Sequence, residues 1–187
     1  MPGFAPYDPD SRGRDAPVSG VISQATLDDL DALTLIELTA ITRTPADWQK
    51  VIDKAFDDPD RLLLLAEVDG DIAGFAQTNF LEKHPVKYGP AGFYLTGVTV
   101  IPAYRRRGLG RALTAARLDW IRERANEVWY FASSANQSSI ELHLAFGFEE
   151  VQRAHAIHGV TFNAGQGILF HSSLDARASR GEAHGRP

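Results

Sequence analysis

The chain has 187 residues, 44% of them apolar and 23% charged, which suits one folded domain with a sizeable core. Its formal net charge of −5 argues against a protein that coats nucleic acid, and the absence of cysteine excludes disulfides, thiolate nucleophiles and cysteine-ligated metals. No stretch approaches the roughly 20 apolar residues of a membrane span, and the N-terminus lacks a signal-peptide core, so the expectation is a cytoplasmic protein.

Residues 1–17, rich in Pro, Gly and Asp, are expected to form a flexible arm, residues 18–172 a single domain, and 173–187 a flexible tail. VISQA near residue 21 suits a first strand. In TLDDLDALTLIELTA, apolar residues at Leu27, Leu30, Leu33, Ile36 and Leu38 suit a helix opened by Thr26. TPADWQKVIDKAF predicts a second helix with Thr44 as N-cap and Pro45 at its first position. RLLLLAEV and IAGFAQTNFL flank Asp69-Gly70, a hairpin signal. AGFYLTGVTVI is a long strand whose Gly97 marks a bulge or a close backbone approach.

A helix follows, with an apolar stripe at Leu109, Ala112, Leu113, Ala116 and Trp120. EVWYFAS is a short strand, and NQSSIELHLAF a helix capped by Asn136 with Gly147 just past its end. The order of elements implies an α/β or α+β domain. Its sheet mixes antiparallel hairpins with at least one parallel crossover, through the helix that starts near Gly108.

That crossover carries the chemistry. RRRGLGR lies beyond the carboxyl end of a strand expected to be parallel to EVWYF, where ligands bind in open sheets. Gly108 and Gly110 let the turn expose backbone N–H groups, and the helix dipole favours an anion there. Arg105, Arg106, Arg107 and Arg111 add charge around it. A solvated basic turn and a nucleic-acid patch are the competing explanations, and a Walker P-loop is excluded because no Gly-Lys-Ser/Thr follows.

Val-x-Pro-x-x-Arg-Arg-x-Gly-x-Gly between strand and helix resembles motif A of the GNAT N-acetyltransferases, through Arg105, Gly108 and Gly110. NQSSIELHLAFGFEEV resembles the family's motif B, through Asn136 and Phe146-Gly147-Phe148. The resemblance implies a mixed, mostly antiparallel sheet of six to seven strands with a central parallel pair, flanked by about four helices. It also implies acetyl-CoA as cosubstrate, without a metal. Its pyrophosphate would be held by the turn from Arg105 to Arg111, including the Leu109 amide. The pantetheine would pair with the main chain of Val98, Thr99 and Val100, the amide near Val98 would face the thioester oxygen, and Asn136 would bind the pantetheine arm.

Two positions depart from the family pattern. Where many members have a Tyr proposed as the acid for the departing thiolate, this chain has His143; an unperturbed imidazole would be about a quarter protonated at pH 7. Where some relatives have a Glu in the strand before motif A, this chain has Thr96. Deprotonation of an ammonium would then fall to water relayed past Thr96 or Tyr94, or to Glu82 or His84. Each has an ordinary structural explanation: Tyr94 as sheet packing, Glu82 and His84 as loop surface, and His143 as a buried helix residue.

The function implied is acetyl transfer to a primary amine of a small molecule, such as a metabolite, amino acid or antibiotic, by direct attack in a ternary complex. The alternatives are a non-catalytic acyl-CoA-binding or regulatory module, and a protein N-acetyltransferase. No nucleic acid or membrane is expected as partner. A homodimer is frequent in the family, and no residue pattern here decides it.

Overall fold

Four consecutive leucines in RLLLLAEV cannot alternate between core and solvent, so that strand must be covered on both faces. In the computed structural model, which describes residues 17–29, 31–33, 45–85, 88–162 and 165–174, Leu62 to Ala66 are all buried. The strands are β1 (Val21–Gln24), β2 (Arg61–Val68), β3 (Asp71–Leu81), β4 (Gly92–Val100), β5 (Glu127–Ser133), β6 (Glu149–Ala154), β7 (Ala156–Ile157), β8 (Val160–Thr161) and β9 (Gly167–Ser173). The α-helices among the described residues are α1 (Pro45–Asp57), α2 (Leu109–Arg122) and α3 (Gln137–Leu144).

Seven strands form one sheet in the order β1-β2-β3-β4-β5-β9-β6, while β7 and β8 form a separate ribbon. Among the described residues, only β4 and β5 run parallel within that sheet, the mixed, mostly antiparallel architecture that the motifs imply. The Asp69-Gly70 turn closes the β2–β3 hairpin with φ of 54° and 90°, the left-handed pair a two-residue turn demands.

Of the helix expected from Thr26, a 3-10 turn at Leu27–Asp29 and helical residues 31–33 are described. The Thr26 amide and hydroxyl donate to Asp29 Oδ2 at 2.6 and 2.8 Å. The rest of that helix, Thr44, and all of the expected arm but Pro17 lie outside the described residues. At the other end the fold runs past the expected boundary of residue 172. Ser173 belongs to β9, and Leu174 is buried with its amide donating to Asn126 O at 2.7 Å.

Each sheet face carries its own cover. On one face, Leu109 and Leu113 of α2 pack with Leu62, Leu64 and Ala76, and Leu118 and Ile121 pack with Leu95, Tyr130 and Phe170. On the other, Leu33 and Ile52 pack on Leu63, Leu65 and Phe75, while the β7–β8 ribbon sets Ile157 against Tyr94 and Leu169. The buried stripe of α2 is Leu109, Leu113, Thr114, Arg117, Leu118 and Ile121. It is rotated from the expected one, because Ala112, Ala116 and Trp120 are only partly covered.

An irregularity in β4 shapes everything that follows. Thr78 pairs with Leu95 but Gln77 pairs with Gly97, so Thr96 is one residue too many. Such a bulge bends its strand and raises its twist. Pairing of β4 with β5 is confined to Tyr94↔Trp129 and Leu95↔Tyr130, ending where the bulge begins. Beyond that point the two parallel strands diverge. Arg117 reaches the bulge from α2: Nη1 donates to the Gln77 and Gly97 carbonyls at 3.1 and 3.0 Å, and Nη2 to Thr114 Oγ1 at 3.0 Å. Gly97, expected to mark a bulge, lies within it.

Candidate active site

The divergence leaves the β5-facing edge of β4 unpaired from Thr96 to Val100. Val98, Thr99 and Val100 pair on their other side with Ala76, Phe75 and Gly74 of β3. The Val98 and Val100 side chains pack against the cluster around Leu109 and Leu113. Alternate main-chain groups therefore face the opening, as at a sheet edge awaiting an added strand.

The RRRGLG turn closes the far end of this opening. Gly108 is the N-cap of α2 at φ 97° with no side-chain cap, so a conformation costly for any residue with a Cβ leaves the first helical amides unclaimed by a capping group. A Cβ at Gly108 would meet nothing within 4 Å, and one at Gly110 would touch only Leu142 Cδ2 at 3.7 Å. Neither glycine is needed to make room for protein atoms. The positive end of the α2 dipole thus faces the opening, and suits an anion.

The arginines do different things. Arg105 turns back, its Nε donating to Val100 O at 2.9 Å, which fixes the end of β4. Arg106 is exposed at φ 62°. The Arg107 guanidinium lies 5.8 Å from the Tyr104 ring centroid, and that of Arg111 lies 5.0 Å from the Phe146 ring centroid. Leu109 is a core residue, so only its main chain could touch a ligand.

Asn136 caps α3, its Oδ1 accepting from the Ser139 amide at 3.3 Å. Since α3 follows β5 directly, this cap lies at the same end of the divergence as the α2 turn. On the sheet face that carries α1, the Thr96 hydroxyl accepts from Asn79 Nδ2 at 2.5 Å, Asn79 Oδ1 accepts from Arg61 Nη1 at 2.8 Å, and Arg61 Nε donates to Asp58 at 2.9 Å. Thr96 itself is exposed.

Two candidates for proton transfer do not suit that role. His143 is buried: its ring stacks on Tyr130 at 3.7 Å and 8°, and its Nδ1 lies 2.7 Å from the Ser139 carbonyl. Nδ1 therefore carries the proton and donates it. Burial, with repulsion from Arg117, pushes the imidazole down to about 3. The quarter protonated at pH 7, expected of a free imidazole, is absent, so His143 is no acid for a thiolate. Tyr94 is also buried, its hydroxyl donates to Pro90 O at 2.9 Å, and burial raises its phenol above the ordinary range. Glu82 is exposed, and His84 faces the ring of His158 at 6.3 Å.

Sequence reasoning missed Arg117 and His158. The first had a signal: Arg117 lies four residues after Leu113 and four before Ile121, on the buried stripe. The second had a fainter one in His158-Gly159, a turn dipeptide between two short apolar segments. Among the described residues no group of three His, Asp or Glu is arranged to hold a metal, and no helix is long and apolar enough to cross a membrane.

Comparison with known proteins agrees with this geometry. Among solved structures, an acetyltransferase from Salmonella typhimurium with its cofactor acetyl-CoA superposes with a TM-score of 0.66 at 21% identity, covering 87% of this chain and 98% of that one. The ribosomal-protein-S18-alanine N-acetyltransferase of Escherichia coli gives 0.65 at 22% identity, covering 87% and 98%. At these identities the likeness is one of fold. Among curated sequences, a mycothiol acetyltransferase of Clavibacter sepedonicus is 32% identical over 145 residues, 73% of this chain and 45% of that protein. An aminoglycoside N(6')-acetyltransferase type 1 of Klebsiella aerogenes is 35% identical over 96 residues, 50% of this chain and 62% of that one. The chain thus spans about half the length of the curated relatives it matches. The acetyltransferase (GNAT) family model matches residues 28–148, a span that includes the divergent strands, the glycine turn and both helix N-termini, and the chain belongs to that family.

Proposed function

We propose that the protein transfers the acetyl group of acetyl-CoA to the primary amine of a small molecule, by direct attack in a ternary complex. The observation that carries this reading is the opening between β4 and β5, closed by an uncapped helix N-terminus at Gly108. Amides of Gly108, Leu109, Gly110 and Arg111 and the α2 dipole hold the pyrophosphate, with Arg106 and Arg111 the exposed cations of the turn. The main chain of Val98, Thr99 and Val100 pairs with the pantetheine arm, and Asn136 adds a side-chain contact. A strand amide near Val98 faces the thioester oxygen, where it stabilises the charge that develops on attack. Arg105 acts indirectly, by fixing the Val100 carbonyl and with it the end of the strand.

The departing thiolate needs no acid from His143. A thiol with pKa near 8.5 is a tolerable leaving group as its anion, and the attacking nitrogen has a proton to shed. The reading involves no metal and no nucleic acid, sets the protein in the cytoplasm, and fits either a monomer or a homodimer. The acetyl-CoA of the Salmonella relative and the names of the curated relatives support it.

Calorimetry with acetyl-CoA, followed by thiol release across a panel of amines, is the test. Binding with turnover supports the proposal. Binding without turnover on any amine favours an acyl-CoA-binding module, and turnover on peptide N-termini alone a protein acetyltransferase. No binding overturns the reading of the glycine turn.

A further inference from the structure

The acceptor amine arrives as an ammonium, and neither His143 nor Tyr94 is placed to take its proton. A different side chain is. The β7–β8 ribbon turns through His158 and Gly159 at φ of 45° and 80°. This left-handed pair is the one a two-residue hairpin turn demands, as at Asp69-Gly70, and it is favoured by Asn-Gly. The turn thereby sets where the His158 side chain goes.

It goes to the apex of the strand divergence. The His158 ring meets Tyr94 of β4 edge-on at 4.6 Å, and lies nearly parallel to Phe131 of β5 at 6.3 Å. Tyr94 belongs to the last two β4–β5 pairs, and Phe131 is the first β5 residue beyond them. The ribbon covers the sheet face that also carries α1 and Thr96, opposite the face covered by α2 and α3. The β3–β4 loop holds the ring in place: the His158 amide donates to Tyr88 O at 2.9 Å, and Gly89 packs so closely that a Cβ there would overlap the imidazole.

The tautomer is fixed as well. His158 Nε2 lies 3.1 Å from the Pro90 carbonyl, which can only accept, so Nε2 carries the proton. Nδ1 then holds the lone pair. It has no hydrogen-bond partner among the described residues, and it is not among the side-chain atoms that are both buried and orphaned.

We propose that His158 is the general base of the transfer, receiving the acceptor's proton on Nδ1. This rests on the acetyltransferase reading above. The ammonium N–H bond breaks as a bond forms from that proton to Nδ1. The freed lone pair attacks the thioester carbon, the C=O pair moves to oxygen, and its return expels the thiolate. The nitrogen's surplus proton passes to the thiolate, giving the amide and the free thiol, and the imidazolium returns its proton to water. The titratable groups facing the ring are His84 and Tyr94. Burial, opposed by the Pro90 contact and aided by His84, holds the imidazole below its ordinary value and so neutral at pH 7.

The variant that isolates the chemistry is His158→Asn, because asparagine is at home in this turn and the ribbon keeps its shape. The measurements are acetyl-CoA affinity, thermal midpoint, and the pH profile of kcat/KM on whichever amine the wild type acetylates. We expect unchanged affinity, a midpoint lowered by about 2–4 °C for the lost ring contacts, and kcat/KM lowered about 100-fold at pH 7. The wild-type acid limb, lying below about 6.5, should disappear, and activity should return only as alkali deprotonates the amine itself. Wild-type-like kcat/KM with the acid limb intact in His158→Asn overturns the base and leaves the transferase reading standing. A wild type that binds acetyl-CoA but acetylates no amine overturns both.

Discussion

Arg117 is a cation in the interior with no carboxylate beside it among the described residues. Three oxygens, those of Gln77, Gly97 and Thr114, take its place as counter-dipoles. Burial lowers the guanidinium to about 9, far below its ordinary value yet still protonated at neutral pH. Replacing it with methionine removes the buried charge but strands two carbonyls, and an unsatisfied buried acceptor costs about 1–3 kcal/mol. Denaturant unfolding of Arg117→Met should therefore show a loss of about 2–4 kcal/mol. Lysine, with one ammonium in place of the fork, should recover only part of it. Acetyl-CoA affinity should fall in both, since the same contacts hold the bulge that parts β4 from β5.

At the scale of elements, the turn before α2 divides its labour between backbone and charge. The left-handed Gly108 is what leaves the helix amides facing the opening, whereas each arginine is one of several cations around it. Gly108→Val should weaken acetyl-CoA binding more than Arg106→Ala does; calorimetry giving an equal or greater loss for Arg106→Ala would reverse that ranking. This element was legible because glycine spacing and helix capping are local rules. The succession of helices and strands along the chain and the parallel crossover were legible for the same reason, since period and connection length determine them; the place of β9 between β5 and β6 was not. The role of His143 was not. Its protonation depends on Tyr130, Phe148 and Arg117 closing around it, and residues from two other elements and the turn before β6 leave no mark at a helix position. His158 was hidden differently: its turn is local, but its target, the packed rings of Tyr94 and Phe131, exists only after the sheet assembles. The bulge itself had left a trace. The apolar phase of β4 is odd at Phe93 and Leu95 and even at Val98 and Val100, a slip that a single surplus residue at Thr96 produces.

For the molecule as a whole, the buried imidazole of His143 links folding to pH. Folded, it titrates near 3; unfolded, near 6.5. Between those values the unfolded chain binds one proton more, so His143 favours the fold fully above about pH 6.5 and progressively less as pH falls. The slope from this group approaches about 1.4 kcal/mol per pH unit in the middle of that window. Thermal or urea unfolding between pH 7 and 4 should show stability falling with acid, and His143→Phe, which keeps a ring on Tyr130, should flatten that fall. Identical slopes for the two proteins would mean that other groups govern the acid limb.

The extra residue in β4 has a consequence that no substitution scan would expose. Removing Thr96 altogether restores a regular strand: Phe93, Leu95, Val98 and Val100 still point to the α2 side, and each can keep its partner in β3. What disappears is the bend. A chain one residue shorter should therefore fold cooperatively yet zip β4 further along β5, erasing the space for a ligand. Here one residue of chain length would separate a protein that merely folds from one with an opening between β4 and β5.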